Sequence, residues 1–346
     1  MVSTLSPPQS TNSASQSGLL TSAVLSPWNI FQLITGSLDG RIMVWDFLDA
    51  TLLQTIDIAQ PIHYICAHEK FKNTVFVAAS KSYEKKSSGN THNPCHHFVY
   101  ELRCIWTDDA IVLQVSLKPN TTQESGTRKS SVTAVVGKVR LPTGLAFSPT
   151  GTWLVATANH KVYVATTSSL KSGFVKYVSP ERLTCLAFHP FEDYFATGDQ
   201  KGVIRLWYCL NENLAVNVKG LEKHTQTTSL HWHAHAVSSI TFTPNGAYLL
   251  SGGEEAVLVI WQLHSGKKEF VPRLGAPINT VSVSRGSGEE SYLVGLADAT
   301  YSFISSGSLR VSRTYSGIKL GMSARYFVIM VLTIHRSHIF SRTERV

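Results

Sequence analysis

The sequence predicts an all-β fold built from a repeated sheet unit, and the order and spacing of its aromatic residues support this. An apolar residue two positions before a Pro is followed by a distant Trp in three places: Phe188 to Trp207, Phe242 to Trp261 and Leu25 to Trp45. The intervals are 19, 19 and 20 residues. Each copy reads as an apolar strand, a turn, a second apolar strand, and a tight turn into a strand that ends in Trp. This order is that of one β-propeller blade.

Three weaker copies fill the remaining sequence. One covers residues 147–164 and has Tyr163 where the others have Trp. Another covers residues 278–303 and has Phe303 near the Trp position. A degenerate copy lies between residues 62 and 100. Six blades can therefore be counted, and repeats of roughly 40–45 residues with loop insertions produce such spacing.

Polar residues keep fixed intervals to two of the Trp residues. Thr35 and Asp39 lie ten and six residues before Trp45. Ser251 and Glu255 lie at the same distances before Trp261. His233 lies four residues before the first strand of the Trp261 unit, which begins at Val237. This pattern resembles the WD40-repeat family. The resemblance implies a hydrogen-bonded tetrad in which the turn carboxylate orients the His, the His reaches the hydroxyl, and the hydroxyl reaches the indole N–H.

The resemblance therefore implies structural roles for seven residues: His233, Ser251, Glu255 and Trp261 in one blade, and Thr35, Asp39 and Trp45 in another. The Trp207 unit departs from the pattern because Lys201 occupies its turn-carboxylate position. We expect core packing to hold such blades, since a buried polar group without a partner costs about 1–3 kcal/mol.

Five runs carry a closer resemblance, and the phrase around residues 273–276 is more specific than the WD40 signature because propeller geometry does not demand it. They lie at residues 183–190, 204–207, 230–233, 249–259 and 270–276. These runs resemble a family of nucleolar WD-repeat proteins, the Nan-one type components of the small-subunit processome. The family belongs to the t-UTP subcomplex, which also supports RNA polymerase I transcription, and its members are longer and carry a second propeller. The resemblance is strongest over residues 183–283.

Three segments are expected along the chain: a disordered, Ser-rich lead at 1–18, an incomplete WD40 β-propeller at 19–316, and an atypical tail at 317–346. Three polar insertions, at 81–96, 118–131 and 210–228, are predicted to be surface loops. WD40 rings usually have seven blades, and only six are legible here. We therefore expect a ring that does not close in the ordinary way and leaves unpaired strand edges.

Charge and composition favour a folded nuclear or cytosolic protein over a dedicated RNA-binding surface. The net charge is +8, but residues 141–300 carry 12 basic and 12 acidic side chains, so the clearest blades are neutral. RNA contact, to pre-rRNA or a small nucleolar RNA, is therefore expected to be indirect. The five Cys residues form no CxxC pair, which suits reduced thiols. The longest apolar run has seven residues, too short for a membrane span of roughly 20.

Two clusters in the sequence contain residue types that can bind a metal ion. His231, His233 and His235 would share one face of a strand and could bind zinc, although His233 also fits the structural His of a blade. A second cluster, at residues 92–97, lacks the partner cluster of a zinc site. We predict no metal, no cofactor and no catalytic residue. A metal hydrolase that uses the His231 cluster is the least favoured alternative.

The predicted function is that of a non-enzymatic scaffold. The resemblance implies a nuclear, nucleolar role in the small-subunit processome, with other t-UTP proteins as partners, in pre-rRNA processing, 18S rRNA maturation and polymerase I transcription. The alternative is a general WD40 adaptor in another nuclear or cytoplasmic complex. No membrane or small-molecule substrate is expected, and the sequence leaves the partner-binding residues open.

Overall fold

The computed structural model describes residues 20–80, 109–118, 128–129, 132–210, 222–223, 225–271, 273–284 and 290–316. They form six antiparallel sheets of four principal strands each, in chain order, which confirms the all-β propeller with six blades. The predicted lead at 1–18, the tail at 317–346, the insertion at 81–96 and the cluster at 92–97 lie outside these residues. The expectation that the ring does not close stays a prediction.

The first three blades contain the following strands. Blade 1 consists of β1 (Leu20–Leu25), β2 (Gln32–Ser37), β3 (Arg41–Asp46) and β4 (Thr51–Asp57). Blade 2 consists of β5 (Ile62–Ala67), β6 (Thr74–Ser80), β7 (Asp109–Ser116) and β9 (Val132–Arg140). Blade 3 consists of β10 (Pro142–Phe147), β11 (Trp153–Ala158), β12 (Lys161–Thr166) and β13 (Val175–Val178), with a short 3₁₀ helix (Thr167–Ser172) before β13.

The last three blades repeat the arrangement. Blade 4 consists of β14 (Leu183–Phe188), β15 (Phe195–Asp199), β16 (Val203–Trp207) and β18 (Thr227–His231). Blade 5 consists of β19 (Val237–Phe242), β20 (Tyr248–Gly253), β21 (Leu258–Gln262) and β22 (Lys268–Val271). Blade 6 consists of β23 (Ile278–Ser284), β24 (Ser291–Leu296), β25 (Tyr301–Ser305) and β26 (Val311–Tyr315). Two further strands, β8 (Arg128–Lys129) and β17 (Glu222–Lys223), lie in the insertions.

The core is divided among the junctions between successive blades. The first strands of neighbouring blades contact one another in chain order, from β1 through β5, β10, β14 and β19 to β23. One apolar cluster fills each of these five junctions, and within the described residues no such cluster joins blade 6 to blade 1. The close approach of blades 5 and 6 requires a Gly in the second strand of blade 5. A Cβ on Gly252 would lie 2.4 Å from Cγ2 of Ile278 in blade 6.

Side-chain hydroxyls add hydrogen bonds across three junctions. Thr21 Oγ1 donates to the carbonyl oxygen of Ile62 at 2.7 Å, which joins blade 1 to blade 2. Thr184 donates to the carbonyl of Val237, and Ser238 to that of Ile278, in the same manner. The acceptor is the first residue of the next blade's first strand in every case, so these bonds fix the register between neighbouring blades.

Two His residues join neighbouring blades at the opposite end, where the first strands of the blades end. Nε2 of His68, after the first strand of blade 2, lies 3.0 Å from the carbonyl oxygen of Pro149 in blade 3. Nε2 of His189, after the first strand of blade 4, lies 3.1 Å from the carbonyl oxygen of Gly246 in blade 5. A ring N–H donates to a carbonyl in each case, and both His follow the strand by one residue.

The strand register corrects one sequence interpretation and refines another. Ser251 pairs with Val259 two residues before Trp261, and the equivalent pair in blade 3 is Ala156 with Tyr163. The Trp position of blade 3 is therefore Ala165, and the placement of Tyr163 there was wrong. Tyr163 is buried on the same face and fills the space from two residues away, because side chains at i and i+2 share a face. In blade 6 the same count places Ile304, next to Phe303, at the Trp position.

The insertions at 118–131 and 210–228 are more than surface loops. Strand β8 belongs by sequence to blade 2 but pairs in parallel with β4 of blade 1. Strand β17 belongs to blade 4 but pairs in parallel with β13 of blade 3. The second insertion also contains the start of β18. Each insertion thus adds a fifth strand to the outer edge of the preceding blade.

Candidate functional site

The fullest polar network in the described part of the chain lies inside blade 5. The indole Nε1–H of Trp261 donates to Ser251 Oγ at 2.8 Å, and that hydroxyl donates to Nε2 of His233 at 2.8 Å. Nδ1–H of His233 donates to Oε2 of Glu255 at 3.0 Å. The other carboxylate oxygen accepts the backbone N–H of His235 at 2.7 Å. The structure thus brings together all four residues that the spacing singled out in this blade.

The protonation of this network follows from its burial. His233 is fully buried, which lowers its pKa below the ordinary value, although the hydrogen bond to Glu255 acts in the opposite direction. Burial acts to raise the pKa of Glu255, but backbone N–H groups and the His233 ring hold it below the ordinary value. A neutral ring with its proton on Nδ1 and an ionised carboxylate satisfy every donor and acceptor in the chain, so the contact is a hydrogen bond rather than an ion pair.

Blade 1 contains a shorter version of the network. Nε1–H of Trp45 donates to Thr35 Oγ1 at 3.0 Å, as in blade 5. Asp39 accepts the backbone N–H of Arg41 at 3.2 Å and the hydroxyl of Ser37. The structure therefore brings Thr35 and Trp45 together and sets Asp39 in the turn. The residue in the His position of this blade falls at position 16, outside the described residues.

Blade 4 obtains its turn carboxylate from a residue that the sequence interpretation missed. Trp207 donates to Thr197 Oγ1 at 2.8 Å, and Lys201 stands at the usual carboxylate position. Asp199, only 1% exposed, accepts the backbone N–H groups of Lys201 and Val203 through Oδ1, each at 2.9 Å. The expectation that packing alone holds this blade was therefore incomplete. The available signal was the Thr-Gly-Asp run at residues 197–199.

The His231 cluster does not form a metal site in the structure. His231 ends β18, whereas His233 and His235 lie in the link to β19, so the three do not share a strand. Both ring nitrogens of His233 are occupied by Ser251 and Glu255. Over the ranges that the structure describes, no group of three or more His, Cys, Asp or Glu side chains is placed to bind a metal ion. Within the same ranges, no helix has the length and apolar character needed to cross a membrane.

The thiols of Cys66 and Cys185 pack in the apolar clusters of the core. Burial raises the pKa of Cys185 to about 11, and it raises that of Cys66 further. Such thiols stay protonated, and a protonated thiol is a poor nucleophile. The polar residues in blades 1, 4 and 5 hydrogen bond one another inside the sheets. What the arrangement provides is a rigid ring segment with exposed faces and edges.

These features define a class of protein. Six consecutive sheets with four principal strands each, three of which contain a Trp-to-hydroxyl hydrogen bond, constitute a WD-repeat β-propeller. The family model described as the first β-propeller of WD repeat-containing protein 75 matches residues 11–292. The chain belongs to this family, which confirms the WD-repeat resemblance stated from the sequence.

Three relatives show the extent of the similarity. WD repeat-containing protein 75 of Homo sapiens is 33% identical over 275 residues, 77% of this chain and 29% of that protein. U3 small nucleolar RNA-associated protein 17 of Schizosaccharomyces pombe is 40% identical over 89 residues, 26% of this chain and 11% of the relative. NET1-associated nuclear protein 1 of Saccharomyces cerevisiae is 45% identical over 53 residues, 15% and 6% respectively. The matched region thus spans a third or less of these relatives.

Proposed function

We propose that this propeller is a non-enzymatic scaffold domain in ribosome biogenesis. Its place would be the nucleolus, in the small-subunit processome with other t-UTP proteins, where it would support pre-rRNA processing, 18S rRNA maturation and RNA polymerase I transcription. The observation that carries the proposal is the family match over residues 11–292, together with a relative named for its association with U3 small nucleolar RNA.

The site geometry supports a scaffold role rather than catalysis. The His and Glu that would be candidates for acid–base chemistry, His233 and Glu255, are hydrogen bonded to each other and to Ser251 inside a sheet. A general acid or base must reach the proton of a substrate, and this pair faces the interior of the blade. The exposed strand edges and loops are surfaces suited to protein partners.

The test compares the tagged chain with two variants in cells depleted of the full-length relative. Trp261→Ala disrupts blade 5, and Lys201→Ala changes an exposed side chain as the matched control. We expect the wild-type chain and Lys201→Ala to accumulate in the nucleolus and to co-purify with processome proteins and U3 RNA. Trp261→Ala should lose both properties.

Pre-rRNA processing is measured in the same cells with the full-length protein that carries each change. Depletion should lower early intermediates on the path to 18S rRNA, and the wild type and the control should restore them. A diffuse cytoplasmic distribution together with unchanged pre-rRNA would contradict the proposal. Capture of a different complex would identify the chain as a general WD40 adaptor instead.

A further inference from the structure

We propose that the outer edge of blade 5 binds an extended segment of another protein as a fifth, parallel strand. The edge consists of β22, with Phe270 on it and Trp232 beside it. This inference deepens the scaffold function proposed above and rests on it, because it names the kind of partner that one surface would bind.

The molecule already uses this mode of binding twice. In blades 1 and 3, the outer strands β4 and β13 each pair in parallel with a two-residue strand from an insertion of the next blade. The register sets residues of opposite charge across from each other, Asp57 opposite Lys129 and Lys176 opposite Glu222. Main-chain hydrogen bonds provide the affinity in such strand addition, and the residues opposite one another provide the specificity.

Blade 5 continues the alternation of blades 1 and 3, but the described residues do not provide a fifth strand for it. The donating segment in blades 2 and 4 is the link between the third and fourth strands. In blade 6 this link is residues 306–310, a tight turn closed by the N–H of Ser305 donating to the carbonyl of Arg310 at 3.0 Å. This link is too short to reach the neighbouring blade, so β22 is the outermost strand of its sheet in the described structure.

The backbone of β22 presents its hydrogen-bonding groups to the open side at Lys268 and Phe270. Gln262 N–H donates to the carbonyl of Lys267 at 2.9 Å, and bonding alternates along an antiparallel pair. Phe270 pairs with Val259, which corresponds to the pairing of Lys176 with Tyr163 in blade 3. Phe270 therefore stands at the register position where blade 3 receives its fifth strand.

The side chains at this edge favour an apolar partner residue. Phe270 is 43% exposed, and its ring centroid lies 4.9 Å from that of the partly buried Trp232. An apolar side chain opposite Phe270 would remove this aromatic surface from water, which is favourable. Exposed aromatic pairs of this kind are typical of protein-binding sites.

The next outward residue, Lys268, favours an acidic partner residue. Its ammonium lies 5.3 Å from the centre of the Trp261 ring, so it is held close to the strand. An opposite charge across from Lys268 would be favourable, so the residue opposite Lys268 should be Asp or Glu. In a parallel strand this residue comes two positions before the apolar one. The predicted partner is thus an extended acidic-x-apolar segment.

The probe is a peptide derived from the built-in strand of blade 3. It has the sequence of residues 218–227 with Gly220→Asp and Glu222→Leu, and the unchanged sequence is the control peptide. Hydrogen–deuterium exchange of the β22 amides is followed in the full chain. We expect the altered peptide, and not the unchanged one, to slow exchange at residues 268–271.

Two variants test the contact. Phe270→Lys makes the edge resemble that of blade 3, so protection by the altered peptide should be lost and the unchanged peptide should protect. Val135→Lys is the matched control, because Val135 has the same register position in blade 2 and is also exposed. It should leave the β22 protection unchanged. Melting curves check that both variants fold.

The outcomes separate this inference from the proposed function. No protection of β22, equal protection by both peptides, or protection that survives Phe270→Lys would overturn it. It would also be overturned if β22 proved to be covered by a second copy of the chain, seen as a dimer that Phe270→Lys dissociates. Failure here leaves the nucleolar experiments untouched, because they do not depend on this edge.

Discussion

Blades 4 and 5 have the same spacing from Phe to Trp, yet they organise their polar interiors differently. In blade 5 the chain runs from Trp261 through Ser251 and His233 to Glu255. In blade 4 the Trp207 to Thr197 bond is kept, but Asp199 bonds the turn directly. Ser179 occupies the position that His233 has in blade 5.

The difference shows which half of the network a blade needs. The bond between Trp and a hydroxyl occurs in blades 1, 4 and 5, and it anchors the third strand to the second. The carboxylate can come from either of two positions: Asp39 in blade 1 and Asp199 in blade 4 both accept a backbone N–H of the tight turn, whereas Glu255 in blade 5 accepts the N–H of His235 in the link before β19. In blade 5 the His connects the carboxylate to the hydroxyl.

The largest effect should come from removing the shared half of the network. Trp207→Ala and Trp261→Ala should each lower the free energy of unfolding by about 3–5 kcal/mol, since both side chains are nearly fully buried. Trp45→Ala should cost less, because Trp45 is only partly buried. Denaturant unfolding of the three variants measures this order. An equal or greater loss for Trp45→Ala would contradict it.

The turn carboxylate of blade 4 should matter next. Asp199→Ala removes an acceptor of two backbone N–H groups, and a hydrogen bond to a charged group contributes roughly 1.5–3 kcal/mol. Lys201→Ala changes an exposed side chain and should stay within about 0.5 kcal/mol of the wild type. Equal losses in the two variants would show that Asp199 is not the residue that holds the turn.

The His position should distinguish the two blades. His233→Ala leaves Ser251 and Glu255 without their buried partner and should cost about 1–3 kcal/mol. Ser179→Ala, the equivalent change in blade 4, should cost less than about 0.5 kcal/mol because the hydroxyl bonds no protein group. A neutral His233→Ala variant would show that the tetrad of blade 5 is dispensable.

The smallest effect is a pH dependence that belongs to blade 5. The pKa of His233 is lowered in the folded state, whereas an unfolded His titrates near 6.5. The unfolded state therefore binds more protons as the pH falls below about 6.5, and stability decreases in that direction until the folded ring is also protonated.

Melting temperatures of the wild type and His233→Gln, measured from neutral to mildly acidic pH, test this sign. The wild type should lose more stability on acidification than the variant, which lacks the titrating ring. Parallel curves for the two proteins would assign the acid sensitivity to other groups. Glu255, whose pKa is also lowered, should add a further loss at still lower pH.

The sequence predicted the blades well because the strand pattern and the Phe-to-Trp intervals are local signals. The sequence misplaced the Trp position of blade 3 because the turn between the second and third strands of that blade is short. The position can be counted only from the pairing of Ala156 with Tyr163. The sequence missed Asp199 because a carboxylate two residues from the expected position has no signature without the turn geometry. It predicted loops for 118–131 and 210–228 because a two-residue strand leaves no periodicity.

The strands β8 and β17 couple the unfolding of neighbouring blades. Each belongs to one blade by connectivity and to its neighbour by hydrogen bonding. A fluctuation that opens blade 2 therefore also frees the outer edge of blade 1, and blades 4 and 3 are linked in the same way. Native-state hydrogen exchange should then show cooperative opening units of two blades rather than one. The described residues form six sheets, but in the first four blades we expect the smallest unit that opens alone to be a pair.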